Sequence, residues 1–148
     1  MIIPKIKCKW VFSHEVKRSE LPKINTPGEA VQIFRQLFDE NELQLREHFY
    51  ALYLNTAARV IGYELISVGG IDQAPVDVRM VAAPALGVMA SSVVLCHNHP
   101  SGANVPSDAD KIITKRLRDG LLLLGIKLID HIILTEDSSY SFANEGAI

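Results

Sequence analysis

The sequence predicts an α/β (α+β) fold, a single domain with a mixed β-sheet flanked by helices, and three observations carry that reading. Two segments open with strong helix-start signals, at Thr26 and at Ser107. Apolar runs of strand length, rich in aliphatic and β-branched residues, stand at 48–54, 59–68, 92–96 and 127–135. The two kinds of segment are interleaved, and no internal repeat, low-complexity tract or long linker divides the 148 residues. A chain of this length buries roughly 70% of the surface its unfolded form exposes, so it folds without disulfide or metal staples.

Each element has its own local reason. In residues 5–12, Lys5, Lys7 and Lys9 alternate with Ile6, Cys8 and Trp10, the period-two pattern of a half-buried strand, and outward lysines suit a sheet edge. Residues 1–25 are therefore expected to form an N-terminal strand or extension on a core spanning 26–148. In Thr26-Pro27-Gly28-Glu29, Thr26 is the N-cap, Pro27 takes the first helical position and Glu29 completes a capping box; Val31, Phe34, Leu37 and Phe38 supply the apolar stripe. Asn55-Thr56-Ala57-Ala58 separates the runs at 48–54 and 59–68, which predicts a hairpin, and Gly69-Gly70 ends it. Asp77 caps a helix over 78–90, where Pro84 predicts a kink or an early break because it lacks an N–H and clashes with the preceding turn. After the strand at 92–96, Ser107 opens a helix to about residue 124, with Ile112, Ile113, Leu117 and Leu121 on one side and Gly125 as its stop. Strands at 127–135 and 138–142 complete the chain.

Composition narrows the function. The chain is 48% apolar and 22% charged, with no run of eighteen apolar residues and no signal-peptide pattern, so no membrane association is expected. Cys8 and Cys96 form no C-x-x-C pair, which suits a reducing cytoplasm. Fifteen Lys and Arg against seventeen Asp and Glu give a formal charge of -2, so DNA is a partner only through a local patch. Two clusters offer one: Lys5, Lys7 and Lys9, and Lys111, Lys115, Arg116 and Arg118. Both also read as ordinary solvated faces.

The chemistry concentrates in His97-Asn98-His99-Pro100-Ser101-Gly102, followed by Ser107 and Asp110. Histidines at i and i+2 on a strand point to one face and reach one ion. Pro100-Ser101-Gly102 turns the chain, and capping by Ser107 places Asp110 in the first helical turn, from which its carboxylate folds back toward the histidines. Two nitrogens and one oxygen leave a fourth tetrahedral position for water, the arrangement of a catalytic rather than a closed structural zinc. The competing reading is that S-x-x-D is a helix cap and Asp110 complements the helix dipole. His131, inside a buried strand, reads as a hydrogen-bonded structural histidine rather than a second ligand, and His14 and His48 carry no usable signal. The string His-Asn-His is not an HNH nuclease, whose residues are dispersed, and the H-x-E and P-C-x-x-C of a zinc deaminase are missing.

This stretch resembles the JAMM (MPN+) metallopeptidase signature H-x-H-x(7)-S-x(2)-D, in the form H-N-H-P-S-G-x(3)-P-S-x(2)-D found in RadC-like proteins. The similarity runs from about Glu47 to the end and takes in Thr114-Lys115-Arg116-Leu117, Leu124-Gly125-Ile126, Asp130-His131-Ile132-Ile133 and Tyr140-Ser141-Phe142-Ala143. It implies a JAMM/MPN-like fold with cytidine-deaminase-like layering, and one zinc per chain held by His97, His99 and Asp110. It also implies a Ser107 that helps hold the activated oxygen species, and a glutamate general base from an earlier element. Among Glu42, Glu47 and Glu64, spacing alone does not choose; the family places the base just before the first core strand, which points to Glu47. Full-length RadC-like proteins carry a helix-hairpin-helix region that the segment before Thr26 is too short to contain, which removes the usual reason to infer DNA binding.

The lead expectation is thus a zinc-dependent hydrolase of amide bonds, peptide or isopeptide, acting on an unidentified protein or peptide substrate. The competing one is a DNA-repair-associated accessory module with a structural or vestigial metal, contacting phosphates through Lys111, Lys115 and Arg118 on one helical face. Phosphodiester cleavage calls for more carboxylates or a second metal. Exposed edge strands leave both homo-oligomer formation and strand addition of a peptide open.

Overall fold

A computed structural model describes residues 3–69 and 76–148. Its centre is a five-stranded mixed sheet of β1 (His48–Leu54), β2 (Val60–Val68), β3 (Ser92–Asn98), β4 (Lys127–Leu134) and β5 (Ser139–Ser141), in the spatial order β2-β1-β3-β4-β5. Only β3 and β4 run parallel, which requires a crossover helix between them; the other pairs are antiparallel. The helices are α1 (Pro27–Leu37), α2 (Val78–Gly87) and α3 (Asp108–Leu123), and none of the described helices is long and apolar enough to cross a membrane.

Strand alternation divides the core into two clusters, one on each face. Phe49, Ala51, Tyr53, Val93 and Leu95 pack with Val81 of α2 and Leu117 and Leu121 of α3. Tyr50, Leu52, Leu54, Val94 and Cys96 pack instead with Ala30 and Phe34 of α1. The central strands are therefore buried on both sides, β1 and β3 along their whole length, while the edge strand β2 exposes Tyr63, Glu64 and Leu65. Arg35 of α1 adds a polar tie, donating to the carbonyls of Thr135, Glu136 and Ser138 at 3.1–3.2 Å.

The helix starts form as their sequences predict. Thr26 Oγ1 accepts from Glu29 N–H at 3.3 Å, and Glu29 Oε2 accepts from Thr26 N–H at 3.0 Å. Asp77 caps α2, which ends at Gly87, three residues past Pro84 and short of the expected residue 90. Gly70 lies outside the described residues, so the predicted Gly69-Gly70 break is described only at its first residue. Gly125, with φ of 74°, ends the last helix in the left-handed conformation expected of a C-terminal glycine.

Two expectations need correction. Residues 5–12 form no strand: Lys5, Ile6, Lys7, Cys8 and Lys9 are exposed alike, with Ile6 85% accessible. Alternation specifies a strand only where a partner backbone and a buried face exist, and this segment has neither. It rests on the body through Trp10 at Gly87 and Phe12 near Gly62, while among the described residues an isolated bridge further along joins Lys23 to Arg59. In α3, Ile112 is 61% exposed, and the buried positions are Asp110, Thr114, Leu117 and Leu121. A polar residue, Thr114, occupies the stripe because its hydroxyl is fully bonded there.

Candidate metal centre

The stripe that buries Leu117 and Leu121 carries Asp110 and Thr114 at its N-terminal end, directly over the C-terminal ends of β3 and β4. On β3, His97 follows Val93 and Leu95 on the same face, so strand period and helix period bring His97 and Asp110 together. His97 Nε2 lies 3.1 Å from Asp110 Oδ1, His99 Nε2 lies 3.3 Å from Asp110 Oδ2, and the two Nε2 atoms are 2.9 Å apart. One ligand-capable atom from each of the three falls within 4.8 Å of the others. His97 is fully buried and Asp110 nearly so, while His99 is half-buried at the rim.

The donor set fits a cation. His99 Nδ1 is 2.7 Å from the Ala103 carbonyl, a contact that needs a proton on Nδ1 and leaves Nε2 as the lone-pair nitrogen of the neutral ring. Two imidazole nitrogens 2.9 Å apart, with a carboxylate beside them, need a proton or a metal ion between them. In the metal-free protein, the hydrogen bond with Asp110 holds the His99 imidazolium above its ordinary pKa against the opposing effect of burial, aided by the Ala103 carbonyl and the charges of Asp110 and Glu47. Burial pushes the Asp110 carboxyl upward, but hydrogen bonds from His97, His99 and Ser107 and the charge of His97 outweigh it, leaving it well below the usual carboxylate range.

At Ser107 and Asp110 the helix cap and a ligand-capable carboxylate are compatible. Asp110 Oδ2 accepts from Ser107 N–H at 2.7 Å and from its hydroxyl at 2.6 Å, while Ser107 Oγ accepts from Asp110 N–H at 3.1 Å. The capping box orients the carboxylate, and Oδ1 remains directed at His97.

Behind these residues lies a buried layer that the sequence did not disclose. His97 Nδ1 is 2.8 Å from His131 Nε2, and His131 Nδ1 is 2.6 Å from Thr114 Oγ1. His131 is thus a hydrogen-bonded partner of a ligand-capable histidine, and it stays neutral because burial, together with the nearby charge of His97, holds its pKa well below normal. A register shift in β4 puts it there: Val93 pairs with Leu128 but Val94 pairs with Asp130, so Ile129 is extra and His131 turns to the face shared by Leu95 and His97.

Of the three candidate glutamates, Glu47 immediately precedes β1, is half-buried, and acts on the charge of His99. Glu42 is paired with His48, its Oε2 3.1 Å from His48 Nε2. Glu64 stands opposite Ala51 on β2, about 10 Å across the sheet from β3 at ordinary strand spacing. Asn98 is the other residue that sequence reasoning passed over. Fully buried, it accepts from His48 N–H at 2.7 Å and donates to the carbonyls of Leu43 and Arg46 at 2.7 and 2.8 Å. Its only sequence signal was a polar residue between two histidines on a strand.

The basic cluster on α3 is less available than its spacing suggests. Lys111 is 3.1 Å from Asp108, and Lys115 and Arg118 are 2.6 and 3.1 Å from Asp119. A phosphate there competes with aspartates already in place.

The profile of the RadC-like JAB domain matches residues 24–147, and a UPF0758 protein of Flavobacterium johnsoniae is 41% identical over 127 residues, 86% of this chain. The chain belongs to the RadC-like JAB domain family. A UPF0758 protein of Porphyromonas gingivalis is 33% identical over 93% of the chain, and one of Aquifex aeolicus is 34% identical over 84%. The chain spans about half the length of these relatives, covering 54%, 61% and 52% of them respectively. The mixed sheet flanked by three helices is consistent with the JAB fold, and within this RadC-like JAB domain the His97, His99 and Asp110 group is capable of binding a metal ion.

Proposed function

We propose that this RadC-like JAB domain is a zinc-dependent hydrolase of amide bonds, peptide or isopeptide, with His97, His99 and Asp110 as metal ligands, Glu47 as general base and Ser107 as oxyanion donor. The observation that carries the reading is the convergence of His97 Nε2, His99 Nε2 and the Asp110 carboxylate at one point on the half-open rim of the sheet. Two nitrogens and a carboxylate suit zinc and leave a ligand position free. A bound zinc supplies Lewis acidity and a water that ionises near neutral pH.

The remaining work falls to side chains of this chain. Glu47 takes a proton from the attacking water as its oxygen adds to the amide carbon, then passes that proton to the departing nitrogen as the C–N bond breaks. Ser107 turns its hydroxyl proton from Asp110 Oδ2 to the oxyanion developing on the substrate. A cavity of about 240 Å³ lies beside His99, lined by Gln44, Ser101, Gly102 and Glu136 among others.

Metal content by elemental analysis tests this, with wild type compared against His97→Ala/His99→Ala. The expected result is about one zinc per chain, lost in the double variant, with Glu47→Gln keeping the metal and losing turnover on a peptide library. Wild-type protein that takes up no metal even after zinc addition overturns the reading, and turnover surviving in Glu47→Gln removes that residue from the mechanism.

A further inference from the structure

The hydrogen bonds behind His97 have a definite direction. Thr114 Oγ1 lies 2.5 Å from the Asp110 carbonyl oxygen, a separation that two oxygens tolerate only with a proton between them. A carbonyl has no proton to give, so the single hydroxyl hydrogen of Thr114 points at Asp110. The contact of the same hydroxyl with His131 at 2.6 Å must then run the other way, with His131 Nδ1–H donating. His131 is wholly buried with no carboxylate among the described residues bonded to its ring, so it carries one proton only, and its Nε2 is a bare acceptor. His97 Nδ1–H donates to that acceptor at 2.8 Å, so in the neutral ring that a cation requires the lone pair of His97 is left on Nε2, the atom facing Asp110 and His99.

Packing holds both rings in these orientations. Phe49 lies parallel to His97 at 5.8 Å between ring centres and 6° between planes, and Phe142 lies parallel to His131 at 5.1 Å and 11°. Neither ring turns over without displacing a buried aromatic.

We propose that His131 and Thr114 are positioning residues that set the tautomer and orientation of His97 and so present its Nε2 lone pair to the cation. The inference rests on the metal-dependent reading above. A ligand histidine is ordinarily oriented by a carboxylate, a backbone carbonyl or a water, none of which has the wrong tautomer. A histidine in that role accepts only if its own proton is on the far nitrogen, and Thr114 decides this. The Asp110 main chain, through its carbonyl, thus dictates the tautomer of the ligand opposite it.

Two measurements test the relay. Two-bond ¹⁵N–¹H correlation of ¹⁵N-histidine-labelled, metal-free protein reads the tautomers directly. His131 is expected with Nδ1 protonated and Nε2 bare, and the reverse pattern overturns the proposal. Zinc affinity by chelator competition is the second. His131→Met, which cannot accept, is expected to bind zinc about 10- to 100-fold more weakly. His131→Gln, whose amide oxygen falls near the lost Nε2, should stay within about threefold of wild type, a rescue that a purely space-filling role does not predict. Thr114→Val, which removes the hydroxyl at constant volume, should lie between them and decides the matter if His131→Met does not fold. Affinity unchanged in Thr114→Val and in a folded His131→Met overturns the relay. A wild-type protein that binds no zinc yet shows the expected His131 tautomer overturns the hydrolase reading and leaves the orientation of His97 supported.

Discussion

The side chain of Asn98 grips the backbone on either side of Glu47, accepting from His48 N–H at 2.7 Å and donating to the Arg46 carbonyl at 2.8 Å. The Glu47 carbonyl is in turn held by Gly69 N–H at 2.8 Å. A residue between two histidines of the candidate centre therefore also fixes where the candidate base stands. Asn98→Ala removes the side-chain partner of His48 N–H and of the Leu43 carbonyl, while the Arg46 carbonyl keeps His48 Nδ1 at 3.2 Å; at about 1–3 kcal/mol for each lost partner, a loss of about 3 kcal/mol is expected in thermal or denaturant unfolding. Asn98→Asp is expected to be at least as damaging, because a carboxylate cannot donate to the Leu43 and Arg46 carbonyls. A variant as stable as wild type would show that water replaces the clamp.

The metal-free and zinc-loaded proteins should respond to pH in opposite senses. His99 has its folded pKa raised above the ordinary 6.5, so its contribution to metal-free stability is fully present below that value and is lost as pH rises through the folded pKa. Asp110 has its pKa lowered, so its contribution is present above the ordinary 3.8 and is lost as the solution becomes acidic. Buried His131, its pKa held well below the ordinary 6.5, works the other way and withdraws stability as pH falls through that value, so with chelator present the melting temperature is expected to peak near neutral pH and decline toward alkaline pH. Zinc requires the neutral imidazole, so its affinity should fall about tenfold per pH unit below the folded pKa of His99. A metal-free melting temperature that climbs steadily from pH 7 to 9 contradicts the assignment.

How far these features were legible in the sequence follows from the range of the forces involved. The capping boxes at Thr26 and Ser107 and the H-x-H spacing are local, and the structure forms them where the sequence places them. Residues 5–12 alternate as a strand does, but a strand also needs a neighbour, and pairing is not written in one segment. His131 was readable as buried and bonded, yet not as the partner of His97, because the extra residue at Ile129 turns it to that face. Asn98 and the Glu42–His48 pair were hidden for a similar reason: Asn98 bonds groups 50 to 55 positions away in the chain.

The N-terminal segment offers a spectroscopic handle, since Trp10 is the only tryptophan in the chain. A Cβ placed on Gly87 would stand 1.9 Å from Trp10 Nε1, so Gly87→Ala has to displace the indole. The expected outcome is a red-shifted emission with more rapid quenching by iodide. Global stability should change by less than about 1 kcal/mol, because the helix gains an alanine while the displaced ring was already half-exposed. Unchanged emission would mean that Trp10 rests elsewhere in solution.

Ser107 separates two roles that its position combines. As N-cap it bonds Asp110 N–H at 3.1 Å, and Ser107→Ala is expected to cost about 1 kcal/mol of stability for that reason alone. Zinc affinity should fall by no more than about tenfold, because the backbone N–H of residue 107 still holds Asp110 Oδ2, as it does now at 2.7 Å. If the hydroxyl also stabilises the oxyanion of the substrate, turnover of the fully zinc-loaded variant should fall by about 100- to 1,000-fold, far more than its metal binding. Ser107→Thr keeps both a capping oxygen and a hydroxyl and should recover most of each. Turnover that tracks zinc occupancy in both variants would confine Ser107 to holding the helix and its aspartate.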